Sequence, residues 1–469
     1  MQKQRRRCGF SVMLVFSLTL TTTSTTQAQQ QTPGTPLSVA QAVENALRNY
    51  PAVTVSQEQV NAAAAAIDLA RTAYLPRIDS LAQVNRATRN NTFGLLFPQS
   101  VVPAISGPVL GTNNFGTVWG SAVGTLVTWE PFDFGLRRAS VSAATAAKTR
   151  SEATLKRTQF DVAAAAADAY LTLAAAQETV RAAQAGVDRA EVLVRSVRSL
   201  VDAQLRPGAE ASRAEAELAA ARTQVSRAQQ ATEVARAVLA QFIGVDPTQI
   251  TLAAPKLLQL PPSLTAPQFN TATNPIAVEQ NAAVEQARAQ LDVLDKSYYP
   301  RFFTQGSAYA RGTGAELTGS RHGGLNGLAP DVQNYALGFS VTFPILDLPI
   351  IRAKQASQSA VVRAETARYQ QVTTDLMARW NQASAVLEGS RKIAADTPVQ
   401  VSAANAELQQ ASARYQPGLG TIVDVADAQR LLTQAEIDDA LARLGVWRGL
   451  LGVAIAAGDI QPFINEVGQ

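Results

Sequence analysis

The sequence predicts a mixed α+β membrane protein made of two similar halves, each with two β-strands and a long helical hairpin. The segment YLPRI at 74–78 recurs as YYPRF at 298–302, and a proline (Pro51, Pro275) precedes each at the same spacing. Long stretches rich in Ala, Gln, Glu and Arg favour helices. Strict alternation of apolar with small or polar residues over 334–343 indicates a strand.

The first 28 residues resemble a secretory signal sequence, so the mature chain is expected to begin after Ala28. A basic start is followed by a short apolar run at 10–20 and by small residues at the expected cleavage site. This run is too short to span a bilayer as a helix, which takes about 20 residues. Cys8, the only cysteine, follows arginines rather than a lipid-attachment motif. The mature chain is therefore expected to have no disulfide bonds.

The charge of the mature chain is balanced. The signal holds four basic residues and no acidic one, which leaves 37 basic residues (41 − 4) against 37 acidic ones. No basic excess remains to favour nucleic acid as a partner.

Each half is predicted to follow the order helix, strand, loop, strand, long helix, tip and second long helix. No residue breaks the helix from 136 to 205, a length of about 100 Å at 1.5 Å per residue. The turns LRPG at 205–208 and YQPG at 415–418 are predicted to be equivalent hairpin tips, because proline ends a helix and glycine accepts a left-handed turn. The predicted segments are a signal at 1–28, a first repeat at 29–254, a linker at 255–272 and a second repeat at 273–469. The first repeat is predicted to contain strands at about 77–88 and 115–129 and a tip near 205–209. The second repeat is predicted to contain strands at about 301–311 and 334–343 and a tip near 415–419.

Four strands of about ten residues have the length of transmembrane β-strands. Four strands cannot close a barrel, and lipid does not tolerate open sheet edges, so several chains would have to pool their strands. Three chains would supply twelve strands, an even number within the range of outer-membrane barrels. Aromatic residues at the strand ends would form a belt at the membrane interface: Tyr74, Trp129, Tyr298, Tyr299 and Phe343. The alternative is a soluble sheet with aromatic edges.

The most specific motif is RYQPGLGTIVDVADAQ at 414–429, followed by LLG at 450–452. With the two tyrosine-proline tags and the tip glycines, it makes the chain resemble TolC-family outer membrane efflux proteins over essentially the whole mature length. The resemblance implies a homotrimer with a shared 12-stranded β-barrel in the outer membrane of a Gram-negative bacterium and a coiled-coil helical tunnel across the periplasm. It also implies a passive exit duct for efflux or type I secretion, supplied by a periplasmic adaptor protein and an inner-membrane pump.

The resemblance also implies site residues near the second tip. Asp424 and Asp427 would form carboxylate rings at the pore constriction, which favour cations and are blocked by multivalent ones; the alternative is a solvated helix face. Tyr415 matches a tyrosine that holds the family's gate shut. The chain departs from the best-known member of the family, because Gly420 stands where that member has a gate arginine and Ala214 where it has a gate aspartate. Nearby Arg213 and Glu215 are expected to form a different network, or none.

The tips resemble those that contact an adaptor's helical hairpin in this family. The residues concerned are Pro207, Gly208, Ala209, Pro417, Gly418 and Leu419. The alternative is that these residues only make good turns.

The sequence does not predict an enzyme, a cofactor or a metal site. His322, the single histidine, lies in the glycine-rich segment RHGGLNG without a second metal ligand of its kind. The chain has no nucleophile elbow, P-loop or HExxH motif. A periplasmic coiled-coil adaptor competes with the duct, as does a structural surface protein or passive porin. The duplicated hairpins disfavour the adaptor, and the high helix content disfavours the porin.

Overall fold

The computed structural model of the protein describes residues 36–88, 116–253, 257, 259–261, 269–314 and 323–468. The predicted signal, most of the predicted linker and His322 lie outside the described residues. The first half contains α1 (Val39–Asn49), α2 (Pro51–Thr72), β1 (Arg77–Thr88), β2 (Thr117–Phe132), α3 (Leu136–Asp202) and α4 (Gly208–Ile243). The second half contains α5 (Pro275–Lys296), β3 (Arg301–Thr313), β4 (Val332–Thr342), α6 (Leu348–Tyr415), α7 (Ile422–Ala457) and α8 (Gln461–Gly468). The four strands and two long hairpins that the sequence predicts are present.

Proline marks the start of the helix that leads into the sheet in each half. Pro51 and Pro275 lie in the first turn of α2 and α5, where the backbone N–H that proline lacks would have no hydrogen-bond partner within the helix. The side chain of Asn274 also caps α5 by accepting a 3.0 Å hydrogen bond from the N–H of Ile276. Both helices are 22 residues long. The equal lengths explain why the two tyrosine-proline tags, which end these helices, follow their prolines at one spacing.

The four strands form one antiparallel sheet in chain order, β1-β2-β3-β4. β2 runs beyond its predicted end at 129, because a register shift after Trp129 lets Phe132 pair with Phe302. In this sheet β1 pairs with β2 alone and β4 with β3 alone. Both outer strands therefore have an edge whose backbone groups lack a strand partner among the described residues.

The two faces of the sheet differ in polarity. The register places Ile78, Val127, Gly306 and Leu337 side by side across the four strands. On this face Ile78 is 63% exposed and Leu337 is 82% exposed, and Arg86, near one end, is its one charged residue in the described strands. The opposite face holds the apolar cluster around Leu126 as well as charged pairs such as Arg301 with Glu130 at 2.7 Å. An exposed apolar face is the pattern of a sheet that contacts lipid.

The junction between β2 and α3 is fixed by a buried ion pair. The guanidinium of Arg137 donates a 2.8 Å hydrogen bond to the carboxylate of Asp133, and both side chains are less than a tenth exposed. The Arg137 guanidinium also lies 4.9 Å from the centre of the Tyr74 ring. In the second half, Asp347 and Ile351 lie at the corresponding positions before and within α6, so the described residues of that half have no equivalent pair.

The long helices pack as two hairpins, α3 with α4 and α6 with α7, and α7 also packs against α3. The main core lies between α1, α3 and α7, where Tyr170, Leu451 and Trp447 are buried. The Tyr170 hydroxyl lies 2.8 Å from the carbonyl of Leu37 and 3.0 Å from that of Ala253. Among the described residues α7 is the one helix long and apolar enough to cross a membrane, but 61% of its most apolar stretch is buried against the rest of the protein. Its apolar character therefore fits a core helix.

Candidate functional site

The two hairpins end in turns with the same hydrogen-bond pattern. The N–H of Leu205 donates to the carbonyl of Leu200, and the N–H of Leu419 donates to that of Arg414, both at 2.9 Å. This bond, which spans five residues, ends a helix through a residue of left-handed conformation. That residue is Gln204 in the first turn, with φ +60°, and Gly418 in the second, with φ +87°.

The predicted equivalence of Pro207-Gly208 with Pro417-Gly418 is therefore wrong. Gln204 corresponds to Gly418, and Pro207, which precedes α4, corresponds to Thr421, which precedes α7. α4 and α7 are both 36 residues long, so this alignment matches them from end to end. The shared letters Pro-Gly serve different purposes, because Pro207 starts a helix whereas Pro417 lies inside the turn. Arg206 then becomes the counterpart of Gly420.

Tyr415 joins the two tips. Its hydroxyl donates a 2.6 Å hydrogen bond to the carboxylate of Glu210, in the first turn of α4. The guanidinium of Arg206 lies 4.6 Å from the centre of the Tyr415 ring and donates a 2.6 Å hydrogen bond to the Tyr415 carbonyl. Arg206 and Glu210 also approach each other at 3.7 Å. We call these three residues the tip cluster.

The tip cluster is largely shielded from water. Tyr415 is 3% exposed and packs in an apolar cluster of buried residues, which comprises Leu193, Val194, Val197, Ala214, Ala411, Ile422, Val425 and Ala428. Burial, together with the hydrogen bond to Glu210, raises the pKa of Tyr415 to about 12. The hydroxyl therefore remains a hydrogen-bond donor at neutral pH.

The sequence did not predict Arg206 and Glu210 as partners of Tyr415. Arg213 and Glu215, for which a different network or none was expected, have other partners. Arg213 pairs with Glu217 at 3.0 Å and Glu215 pairs with Arg198 at 2.6 Å. Gly420, the position at which the resemblance implies a gate arginine, can be matched to Arg206 only from the backbone hydrogen bonds of the two turns, so the sequence letters gave no signal for these partners. In this chain the arginine comes from the other repeat.

Asp424 and Asp427 both lie exposed in the first two turns of α7. The Asp424 carboxylate accepts a 2.9 Å hydrogen bond from the N–H of Thr421, whose hydroxyl accepts one from the N–H of Asp424 in return. This reciprocal cap starts the helix. The hydrogen bonds from Thr421 hold the pKa of Asp424 below its usual value. Asp427 accepts a hydrogen bond from Arg430, one turn further along the helix.

The predicted aromatic residues lie where the sheet meets the helices. The Trp129 indole donates a 3.2 Å hydrogen bond to the carbonyl of Tyr74, and Tyr298 and Tyr299 make an edge-on ring contact. Phe343, the residue directly after β4, is 61% exposed. The structure adds aromatic residues that the sequence reasoning missed, namely Phe132, Phe134 and Phe302, which are in mutual ring contact.

The family model described as "Outer membrane efflux protein" matches residues 42–245 and 271–453, which is most of the chain. This chain belongs to the outer membrane efflux protein family. Membership confirms the resemblance found in the sequence and the prediction that the chain is not an enzyme. It also disfavours the periplasmic adaptor.

Solved structures of outer-membrane channels share the fold of this outer membrane efflux protein. The channel OprN is 21% identical, with a TM-score of 0.71 over 90% of this chain and 89% of that one. CmeC of Campylobacter jejuni is 16% identical, with a TM-score of 0.73 over 90% and 85%. MtrE of Neisseria gonorrhoeae, in its open state, is 21% identical, with a TM-score of 0.70 over 90% and 89%. No curated protein sequence matches the chain.

Proposed function

We propose that three copies of this outer membrane efflux protein form a passive exit duct of a tripartite efflux or type I secretion system. A periplasmic adaptor and an inner-membrane pump would deliver the substrate. The observation that carries the proposal is the four-stranded sheet with two open edges and one apolar face, joined to two long helical hairpins. Open edges are not tolerated in lipid, so the sheet requires partners of its own kind.

The strand lengths support a membrane position for the sheet. The strands contain 12, 16, 13 and 11 residues, and a strand that crosses a bilayer needs about 9–11. Three sheets joined edge to edge would close a barrel of twelve strands, with the Leu337 face towards lipid and the Leu126 face towards the lumen. Tyr74, Trp129, Tyr298, Tyr299 and Phe343 would form its aromatic belt.

The hairpin tips are the proposed closed end of the duct. Tyr415, through Glu210 and Arg206, would hold the two hairpins of one chain together, and Asp424 with Asp427 would line the constriction. The adaptor would contact the turns at Pro207, Gly208, Ala209, Pro417, Gly418 and Leu419. Leu205 and Leu419, which occupy equivalent positions in the two turns, are 70% and 80% exposed and supply apolar contacts for a docked helix tip.

The proposal is tested on the purified full-length protein in a planar bilayer, next to the variant Asp424→Ala/Asp427→Ala. We expect single-channel conductance from both proteins, with weaker cation preference in the variant because its constriction carries less negative charge. Chemical cross-linking in detergent should give a band of three chains. A chain that leaves the cell envelope without detergent and gives no conductance would contradict the proposal.

A further inference from the structure

Arg430 places a positive charge directly beside a carboxylate of the proposed constriction. It lies three residues after Asp427 on α7, and its guanidinium donates a hydrogen bond to the Asp427 carboxylate. Residues three apart lie on the same side of a helix, so both charges are presented to the same region of the molecule. Both side chains are more than half exposed.

The position of Arg430 is also fixed from the neighbouring hairpin. Its guanidinium lies 3.8 Å from the carboxylate of Glu217 on α4, a side chain that is only 15% exposed. Glu217 in turn pairs with Arg213 at 3.0 Å. Arg213, Glu217, Arg430 and Asp427 thus form a chain of alternating charges that links α4 to α7 and has no net charge. These four side chains form an ion-pair network.

We propose that Arg430 cancels the charge of Asp427 in the constriction, so that one of the two expected acidic rings is neutral in this protein. The inference rests on the proposed function, because it assumes that Asp424 and Asp427 line the pore. Asp424 has a different partner, the uncharged Thr421, and keeps its negative charge. The pore would then be only weakly cation-selective, and multivalent cations would block it poorly.

The charge composition of the tips supports this inference. Residues 198–217 and 411–430 together contain five arginines and six acidic residues. The arginines are placed to pair with these carboxylates, as in Arg198 with Glu215 and Arg206 with Glu210. The narrow end of the duct therefore carries a nearly balanced charge rather than an acidic surface.

The test compares ion selectivity of the wild-type full-length protein with that of Arg430→Gln in planar bilayers under a salt gradient. We expect the substitution to raise the cation-to-anion permeability ratio about threefold or more, because one unpaired carboxylate per chain is added next to the ion path. It should also make the channel sensitive to block by hexaamminecobalt(III). The double variant Arg430→Gln/Asp427→Asn, which removes both charges, should return to the wild-type ratio.

Arg448→Gln is the matched control. Arg448 is on the same helix, about 27 Å further along it at 1.5 Å per residue, and pairs with Asp168 of α3 at 3.1 Å. Its loss removes the same charge outside the tips, and we expect no change in selectivity. Wild-type protein that is strongly cation-selective, with a ratio unchanged in Arg430→Gln, would overturn the inference while leaving the duct intact. Absence of conductance from every variant, including wild type, would instead count against the proposed function on which the inference rests.

Discussion

The hydroxyl of Tyr415 donates a 2.6 Å hydrogen bond to the carboxylate of Glu210, although the two residues are 205 positions apart in the chain. The bond connects the end of α6 with the start of α4, and Arg206 covers it from the side of the ring. The ends of the two hairpins are therefore joined within a single chain. Any movement that separates the hairpin tips has to break this contact.

Removing the Tyr415 hydroxyl should loosen the tips. In Tyr415→Phe the Glu210 carboxylate loses its neutral donor, and a hydrogen bond to a charged group contributes about 1.5–3 kcal/mol. We expect larger single-channel conductance and faster proteolysis at residues 203–210. Tyr369→Phe, which removes a hydroxyl from the same helix far from the tips, is the control. Equal conductance in both variants would show that the bond does not hold the duct shut.

The same tyrosine predicts a loss of stability at alkaline pH. Its pKa is raised to about 12 in the folded protein, from an ordinary value of 10. Below pH 10 the hydroxyl is protonated in both the folded and the unfolded chain, so the full contribution of this hydroxyl to the free energy of unfolding is present. As the pH rises from 10 to 12, the unfolded chain releases this proton first, and the contribution is lost. The unfolding temperature, measured from pH 8 to 11.5, should therefore fall more steeply for wild type than for Tyr415→Phe. Parallel curves of unfolding temperature against pH would contradict the assignment.

The cap at the start of α7 should affect the tip locally. Thr421→Ala removes the hydroxyl that accepts the N–H of Asp424, and loss of such a cap costs about 1 kcal/mol. We expect faster hydrogen exchange of the amides at 422–425 and little change in the centre of α7. Thr421→Ser keeps the hydroxyl and serves as the control. Slow exchange in the alanine variant would mean that the tip is held by other contacts.

The buried pair at the sheet junction predicts a large effect from one of two adjacent arginines. Arg137→Ala leaves Asp133 buried without its partner, which costs about 3–5 kcal/mol for a buried pair. Arg138→Ala, at the next position, removes an exposed arginine. We expect a marked fall in the unfolding temperature for the first variant and almost none for the second. Similar unfolding temperatures for the two variants would show that solvent reaches Asp133.

The fold could be predicted from the sequence because its signals are local and repeated. The alternation over 334–343 indicates a strand whatever its neighbours are, and Pro51 and Pro275 start helices of one length. The equivalence of the tips could not be predicted from the letters. Pro207 and Pro417 have different places in their turns, and only the backbone hydrogen bonds show it. The partners of Tyr415 depend on how two hairpins pack, which no short segment specifies.

The polarity of the sheet predicts opposite results for neighbouring positions of β4. Leu337 lies on the apolar face and is 82% exposed, whereas Ala336 lies on the opposite face beside Ser307. A lysine on a lipid-facing position near the middle of a bilayer costs about 2–4 kcal/mol, whereas a lumen position faces water. We therefore expect Leu337→Lys to reduce the amount of assembled protein in the outer membrane and Ala336→Lys to preserve it. Assembly would be measured in outer-membrane fractions by cross-linking, and the reverse order of the two variants would place the apolar face inside the barrel.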